Sequence, residues 1–350
     1  MLNATKVAVV GASGYTGAQL LRLLLMHENV DLVCVTSRQL KGQPLESAFP
    51  RFRGAPKAEG LMFIDPEIDT IVETGAECAF LAVPHGVASE FAGPLLERGI
   101  RVIDLSADFR LNDADVYREF YAADHPAPQL LKEAIYGLPE FYADEIRAAK
   151  LVASPGCYPT SILVPLLPLI RERAIDLNGI VCSSMSGVSG AGKKAAERFL
   201  YVECNESVQA YGAPKHRHLS EIEQELSIAA DEKVVITFIP HLTPVNAGIC
   251  TSISAGLANT STVVEGITEI YESVYADAPF VRLLGAGGFA DTKNVVGTNF
   301  VDLGWHIDER TGRVLLSSAE DNLGKGAASQ GVQSFNLMFD HEATAGLMNF

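Results

Sequence analysis

The sequence predicts an α/β fold: a Rossmann-type, doubly wound parallel sheet followed by an α+β domain with a mostly antiparallel sheet. Three observations point there. A short apolar run, Lys6–Val10, ends on Gly11 and leads into the helical pattern AQLLRLLLMHE. Through the first half, strand-like runs then alternate with helical segments, the pattern of a parallel sheet covered on both faces. In the second half the strand-like runs follow one another with fewer helices between them.

In chain order, Lys6–Val10 is the first strand and residues 18–28 the first helix. VDLVCVTS (30–37) is a buried strand, and CAFLAVPHG, RVIDLSADFR and KLVAS (150–154) supply three more. Beyond these lie GIVCSSMSG, KVVITFIP, GICTSISAG, FVRLL and NFVDLGW, all β-rich. The stretch 262–275 reads as a helix with Val263, Ile267, Ile270 and Val274 on one face. Residues 325–339 read as a closing helix that packs back on the first domain. The expected division is therefore 1–156 plus the C-terminal segment 325–350, and 157–324.

The chain has 350 residues and a formal net charge of −16. Nucleic acid is excluded as a partner, because phosphate backbones select basic surfaces. Small anions remain possible ligands if basic and amide-rich pockets lie within the acidic surface. No apolar run is long and clean enough to span a bilayer. The start shows no charged n-region with an h-region behind it, so the expectation is a cytoplasmic protein. The six cysteines form no CxxC pair and no metal-ligand spacing, and read as free thiols.

Between the first strand and helix, VAVVGASGYTGAQLL places Gly11, Gly14 and Gly17 where a dinucleotide fingerprint requires them. The first allows a tight turn, the second the approach of a pyrophosphate, the third close helix–sheet packing. At the end of the second strand an NAD site usually carries a carboxylate for the ribose hydroxyls. Here Thr36, Ser37 and Arg38 stand instead, which suits a 2′-phosphate and favours NADP(H).

In SPGCYPT, Cys157 lies between Pro155-Gly156 and Pro159. Either a thiolate is held at a helix start, where its pKa falls, or a small residue fills a tight turn. Local sequence supports both. In KHRHLSEIEQEL, His216 and His218 share a face if the segment is extended, and Ser220 with Glu223 has capping-box spacing, so a helix is expected to begin there. One histidine would then suit acid/base work; two surface histidines in a basic loop are the alternative. SGVSGAGKKAAER offers consecutive amides with Lys193, Lys194 and Arg198, and Arg110 follows a strand. Either place could hold a phosphate or carboxylate.

Taken in order, GASGYTG, AVPHG, VIDLSADFRL, YGLPE, SPGCYPT, SGVSGAGKK, HRHLSEI, PHLTP and DNLGKGAA resemble the N-acetyl-γ-glutamyl-phosphate reductases of arginine biosynthesis almost end to end. The aspartate-semialdehyde dehydrogenases fit less well. The resemblance implies NADPH-dependent reduction of a small acyl phosphate by a homodimer or homotetramer, without a metal. It implies Cys157 as nucleophile and His218 as acid/base. It places the loop Gly11, Ser13, Gly14, Tyr15, Thr16, Gly17 at the cofactor, with Ser37, Arg38, Ser186, Gly187 and Asn322. Arg110, Lys194, His216 and Arg217 are the expected substrate contacts. One departure stands out: the family's arginine before Gly248 is replaced by Ala247. Another basic residue then compensates, or the acyl part of the substrate differs. A carrier-bound aminoadipyl phosphate and a non-catalytic NADP-binding homologue are the competing readings.

Overall fold

The structure is a computed structural model that describes residues 4–193, 195–259 and 264–348. The chain divides into two compact units. The first comprises residues 1–118, 123–155 and 327–350, the second 119–122 and 156–326.

The first unit holds a seven-stranded sheet in the order β3-β2-β1-β4-β5-β7-β6. Its strands are β1 (Thr5–Val10), β2 (Val30–Thr36), β3 (Phe63–Ile64), β4 (Cys78–Leu81), β5 (Arg101–Asp104), β6 (Ala134–Tyr136) and β7 (Leu151–Ala153). Every pairing is parallel. The chain reverses direction of travel across the sheet next to β1, where ligands of such folds bind. β1, β4 and β7 are near-continuous apolar runs because helices cover both faces. The strands β3 and β6 have two and three residues, too few to show a period in sequence.

The closing helix starts at Ser329, after a π turn over Gly324–Ala328, and every residue of Ser329–Met338 is buried. It belongs to the first unit. Phe335 meets Phe80 at 6.0 Å and His27 edge-on at 5.8 Å.

The second unit holds another seven-stranded sheet, ordered β12-β13-β14-β11-β8-β10-β9. Its strands are β8 (Val181–Gly187), β9 (Gln209–Ala210), β10 (Thr237–Thr243), β11 (Ile249–Gly256), β12 (Val281–Ala286), β13 (Val301–Asp308) and β14 (Arg313–Glu320). β8 with β10 and β12 with β13 run parallel; the other pairings are antiparallel. The helix expected over 262–275 runs Val264–Val274, with Ile267 buried; Val263 lies outside the described residues.

Packed on this sheet is the helix Cys157–Arg171, of which Tyr158 to Ile170 are all buried. A helix apolar all round belongs in a core. Pro165 and Pro168 lie inside it, and each removes the hydrogen bond to the carbonyl four residues earlier. Both freed carbonyls find hydroxyls: Ser161 accepts from Ser318 Oγ at 2.6 Å, and Val164 accepts from the Tyr275 hydroxyl. Tyr271 donates to the Pro165 carbonyl at 2.7 Å. Among the described residues no helix is long and apolar enough to cross a membrane.

His27 is fully buried in the first unit. Its Nε2 meets Asn336 Oδ1 at 2.9 Å, and its Nδ1 accepts from Asn29 N–H at 3.1 Å. With Nδ1 accepting, the ring is neutral. Burial lowers its pKa below the usual 6.5, although the bond to Asn336 works the other way. The unfolded chain therefore binds this proton more readily than the native one. The contribution to stability is complete above about pH 6.5 and is lost as pH falls through the native value. We expect the melting temperature of the His27→Gln variant to vary less between pH 7.5 and 5 than that of the unaltered protein. Scanning calorimetry across that range checks this, and identical pH profiles would refute it.

Candidate active site

The glycine loop follows β1 and opens the helix Tyr15–Met26. Gly11 has φ +82°, and a Cβ there would stand 2.7 Å from Val83. A Cβ on Gly17 would lie 2.6 Å from the Ala12 carbonyl group, so only glycine lets the helix close on the loop. Around Gly14 the space is open: a Cβ would meet nothing within 4 Å. Gly14 is the N-cap, with no side-chain cap and no acidic residue in the first turn. The helix therefore offers amides and a positive dipole end to an anion.

Thr36 ties the loop to β2: its Oγ1 accepts from Gly11 N–H at 3.3 Å and its carbonyl from Ala12 N–H at 3.2 Å. Ser37 is buried, and its Oγ accepts from Leu40 N–H at 3.3 Å. Arg38 is exposed and pairs with Glu90 at 3.3 Å. Such an exposed pair is worth at most about 1 kcal/mol, so a phosphate can displace the glutamate. The open space at Gly14, the uncapped helix and Arg38 fit a dinucleotide with a 2′-phosphate. Within this loop Tyr15 is exposed and Ser13 and Thr16 are half-buried.

Arg110 lies in the segment that follows β5. It is buried, and donates from Nε to the Ser154 carbonyl at 2.8 Å and from a terminal nitrogen to Leu105 at 3.3 Å. These bonds brace the strand end that leads to Pro155. Asp104, beneath it, is pushed up to about 7 by burial and then by Asp108. Asp108 accepts from Gly86 N–H at 2.5 Å and Ser89 N–H at 3.3 Å, which fixes the AVPHG loop.

In the second unit Cys157 is the first residue of its helix, and Gly156 is the N-cap. Pro159 occupies the first turn, where its missing N–H costs no helical bond. Three of the other cysteines are different. Cys34, Cys78 and Cys182 are buried, and burial raises all three thiols, Cys34 to about 12.

Tyr158, beside Cys157, is the hub of an aromatic cluster. It meets His216 at 5.6 Å, His218 at 5.9 Å and Phe238 at 5.3 Å. Its hydroxyl lies 2.9 Å from that of Tyr211. Burial raises both tyrosines, and the nearby Cys157 adds to the rise.

The helix bearing His218 starts at His218 itself, two residues before the expected start. The capping box does not form. Ser220 Oγ donates back to the Arg217 carbonyl at 2.7 Å, and Glu223 Oε1 accepts from Ile236 N–H at 3.1 Å. The two histidines meet at 4.9 Å between ring centroids. His216 Nδ1 accepts from His218 N–H at 3.2 Å, and burial, then Arg217, lowers its pKa to about 4. A neutral, accepting His216 props the backbone of His218. Arg217 precedes the helix and is exposed. Lys194 lies outside the described residues.

Ser186 and Gly187 end β8, alongside the loop 245–248. Gly187 N–H donates to Gly248, Val188 N–H to Val245 and Ser189 N–H to Asn246, at 2.9 to 3.0 Å. Asn322 closes the assembly: its Oδ1 accepts from Gly248 N–H at 2.7 Å and its Nδ2 donates to Ser189 Oγ at 3.0 Å. Its amide is thus bonded at both ends within this unit. Sequence reasoning passed over Glu221, Tyr158 and Tyr211. Glu221 is three residues after His218, a helical spacing that could have flagged it; no local pattern marks Tyr211. Among the described residues no cluster suits a metal ion.

Two family models match: residues 6–149 fit the semialdehyde dehydrogenase NAD-binding domain, and residues 157–322 the semialdehyde dehydrogenase dimerisation domain. Solved structures agree on the fold. Aspartate semialdehyde dehydrogenase II of Vibrio cholerae aligns with TM-score 0.74 at 18% identity, over 97% of this chain and 99% of that one. The Candida albicans aspartate semialdehyde dehydrogenase with NADP aligns with TM-score 0.68 at 14% identity, over 96% and 99%. Fold and site together define a two-domain oxidoreductase of the semialdehyde dehydrogenase class. Within it, the N-acetyl-gamma-glutamyl-phosphate reductase of Akkermansia muciniphila is 58% identical over 99% of both chains. That of Geobacter metallireducens is 48% identical over 99% of this chain and 98% of its own. The chain belongs to the N-acetyl-γ-glutamyl-phosphate reductase family.

The two later glycines of the loop should respond differently to alanine. Gly17→Ala forces the helix off Ala12 and should lower the melting temperature by several degrees, the effect of about 1–3 kcal/mol. Gly14→Ala meets no protein atom and should leave it within about one degree. Thermal melts of both variants without ligand check this.

Proposed function

We propose that the protein reduces N-acetyl-γ-glutamyl phosphate to N-acetylglutamate semialdehyde and phosphate with NADPH, through a thioester on Cys157. The observation that carries the mechanism is the placement of Cys157 at the first position of a buried helix, with His218 in the same aromatic cluster. The helix N-terminus favours thiolate. The thiolate attacks the acyl carbon, the bond to the phosphate oxygen breaks, and phosphate leaves with the electron pair. A thioester, unlike a carboxylate, can accept hydride at its carbon. NADPH, when bound, supplies that hydride. His218 delivers a proton to the substrate oxygen as its charge develops, and removes it as the thiohemiacetal collapses. The carbon–sulfur bond then breaks, aldehyde departs and the thiolate is regenerated.

Gly11, Ser13, Gly14, Tyr15, Thr16 and Gly17 would hold the pyrophosphate, and Ser37 with Arg38 the 2′-phosphate. Ser186, Gly187 and Asn322 would lie by the cofactor; Gly187 and Asn322 also bond the loop 245–248. Arg217 is the described basic residue nearest in sequence to His218 and is our candidate for the substrate's anionic end. The first unit is the cofactor domain; the second is the catalytic and dimerisation domain. The working form is read as a cytoplasmic homodimer or homotetramer.

Cys157→Ala should lose more than about a thousand-fold in turnover while binding NADPH as before. The oxidative assay, with semialdehyde, phosphate and NADP, measures this; near-normal turnover would sink the mechanism. Arg38→Ala should raise the KM for NADPH about tenfold and leave that for NADH unchanged. Equal effects on the two cofactors would remove Arg38 from the 2′-phosphate.

A further inference from the structure

We propose that the face of the second unit's sheet turned away from its buried helix, with Phe289 as anchor, is the surface on which two copies of this chain pair. The inference deepens the homo-oligomeric reading above and rests on it. Strand register separates the two faces. Thr251 Oγ1 meets Ser161 Oγ at 2.8 Å, and Ser318 Oγ donates to the Ser161 carbonyl, so both side chains point at the helix Cys157–Arg171. Thr251 is the register partner of Ser318 and of Ser184. Successive side chains alternate between faces. The opposite face therefore carries Val181, Ser183 and Met185 of β8, Ser252 and Ser254 of β11, and Leu315 of β14. Val181, Met185 and Leu315 are exposed.

Phe289 joins this face. Leu315 is paired with His306 of β13, and Phe289 stacks on the His306 ring at 4.2 Å. Phe289 is nevertheless 74% exposed, although its loop is firmly held. His306 Nε2 donates to the Gly288 carbonyl at 3.2 Å, Ala290 N–H to Ser317 Oγ at 3.0 Å and Gly287 N–H to the Trp305 carbonyl at 3.0 Å. A Cβ on Gly304 would strike the Gly288 carbonyl, so glycine there lets the loop lie on β13. A large aromatic ring fixed in solvent is a preorganised anchor for a partner. Charge selects a second copy as that partner. In a two-fold pair one patch meets itself, and any net charge on it meets the same charge. The chain carries −16, yet the outward positions of β8, β10 and β11 hold no Asp, Glu, Lys or Arg. Arg313, at the end of β14, is engaged by Ser254 Oγ and by the carbonyls of Gly179 and Ser254. Such a face does not repel its own copy and offers no field to steer a charged partner. Strand spacing of about 4.8 Å and a rise of about 3.3 Å per residue give β10, β8, β11, β14 and β13 a face of about 500 Å². Two such faces cover about 1,000 Å², enough for a specific association. All of it lies within the residues that match a dimerisation domain.

The test is sedimentation velocity on the full-length protein over a dilution series. Phe289→Ser removes the anchor and should weaken the pair about thirty-fold or more. Leu315→Glu sets a carboxylate from each copy into an uncharged interface, and should weaken the pair at least as much. Either variant should show half the assembled mass at a concentration where the unaltered protein is fully assembled, with its far-UV circular dichroism unchanged. An assembly that keeps its mass in both variants would overturn the proposal and leave the face to a partner of another kind. Loss of secondary structure in both would make these side chains supports of the fold, and would overturn it too. The two residues lie on different elements, so if one variant fails to fold the other still decides. A monomeric unaltered protein would refute the oligomeric reading itself, a result distinct from an unchanged assembly in the variants.

Discussion

The second unit depends on a helix that water does not reach. Cys157–Arg171 is buried from its second residue to its penultimate one, and it contains two interior prolines that each release a carbonyl. In a dry interior an unpaired carbonyl costs about 1–3 kcal/mol. The packing partners are chosen accordingly: Ser318 on β14 meets one freed carbonyl and Tyr275 the other. A chain of buried hydroxyls, Ser161, Thr251 and Ser184, links the same helix to β11 and β8 at 2.8 and 2.7 Å. These bonds fix the helix in rotation and along its axis. Cys157, at its first residue, inherits that precision.

Much of this was legible in the residues. The glycine loop announced itself because its chemistry is local: turn, approach and packing glycines must stand in one short stretch. The parallel sheet was legible because apolar runs and helical periods alternate. The prolines of SPGCYPT marked a helix start correctly. What sequence could not show was long-range pairing. No local pattern announces that the Asn322 amide is bonded to Gly248 and Ser189. Nor does any announce that Arg110 bonds the carbonyls of Ser154 and Leu105, which follow two strands. The capping box failed because Ser220 found a carbonyl behind it and Glu223 an amide in another segment, partners invisible at fixed spacing.

His216 shows how burial reassigns a role. Two histidines one residue apart look equivalent in sequence. In the fold, His216 is enclosed by Tyr158, Tyr211 and Phe238, and desolvation keeps it neutral well below physiological pH. A ring that must accept from a backbone amide cannot also hold a proton on that nitrogen. The difference between the two rings follows from packing.

Ala247 can be judged in the same terms. The loop that carries it is zipped to β8 by backbone bonds at Val245, Asn246 and Gly248, and Asn322 secures Gly248 from the far side. None of these bonds uses the side chain at 247. The bonds that hold the loop are therefore made by its backbone and by Asn322, and alanine at 247 is compatible with all of them.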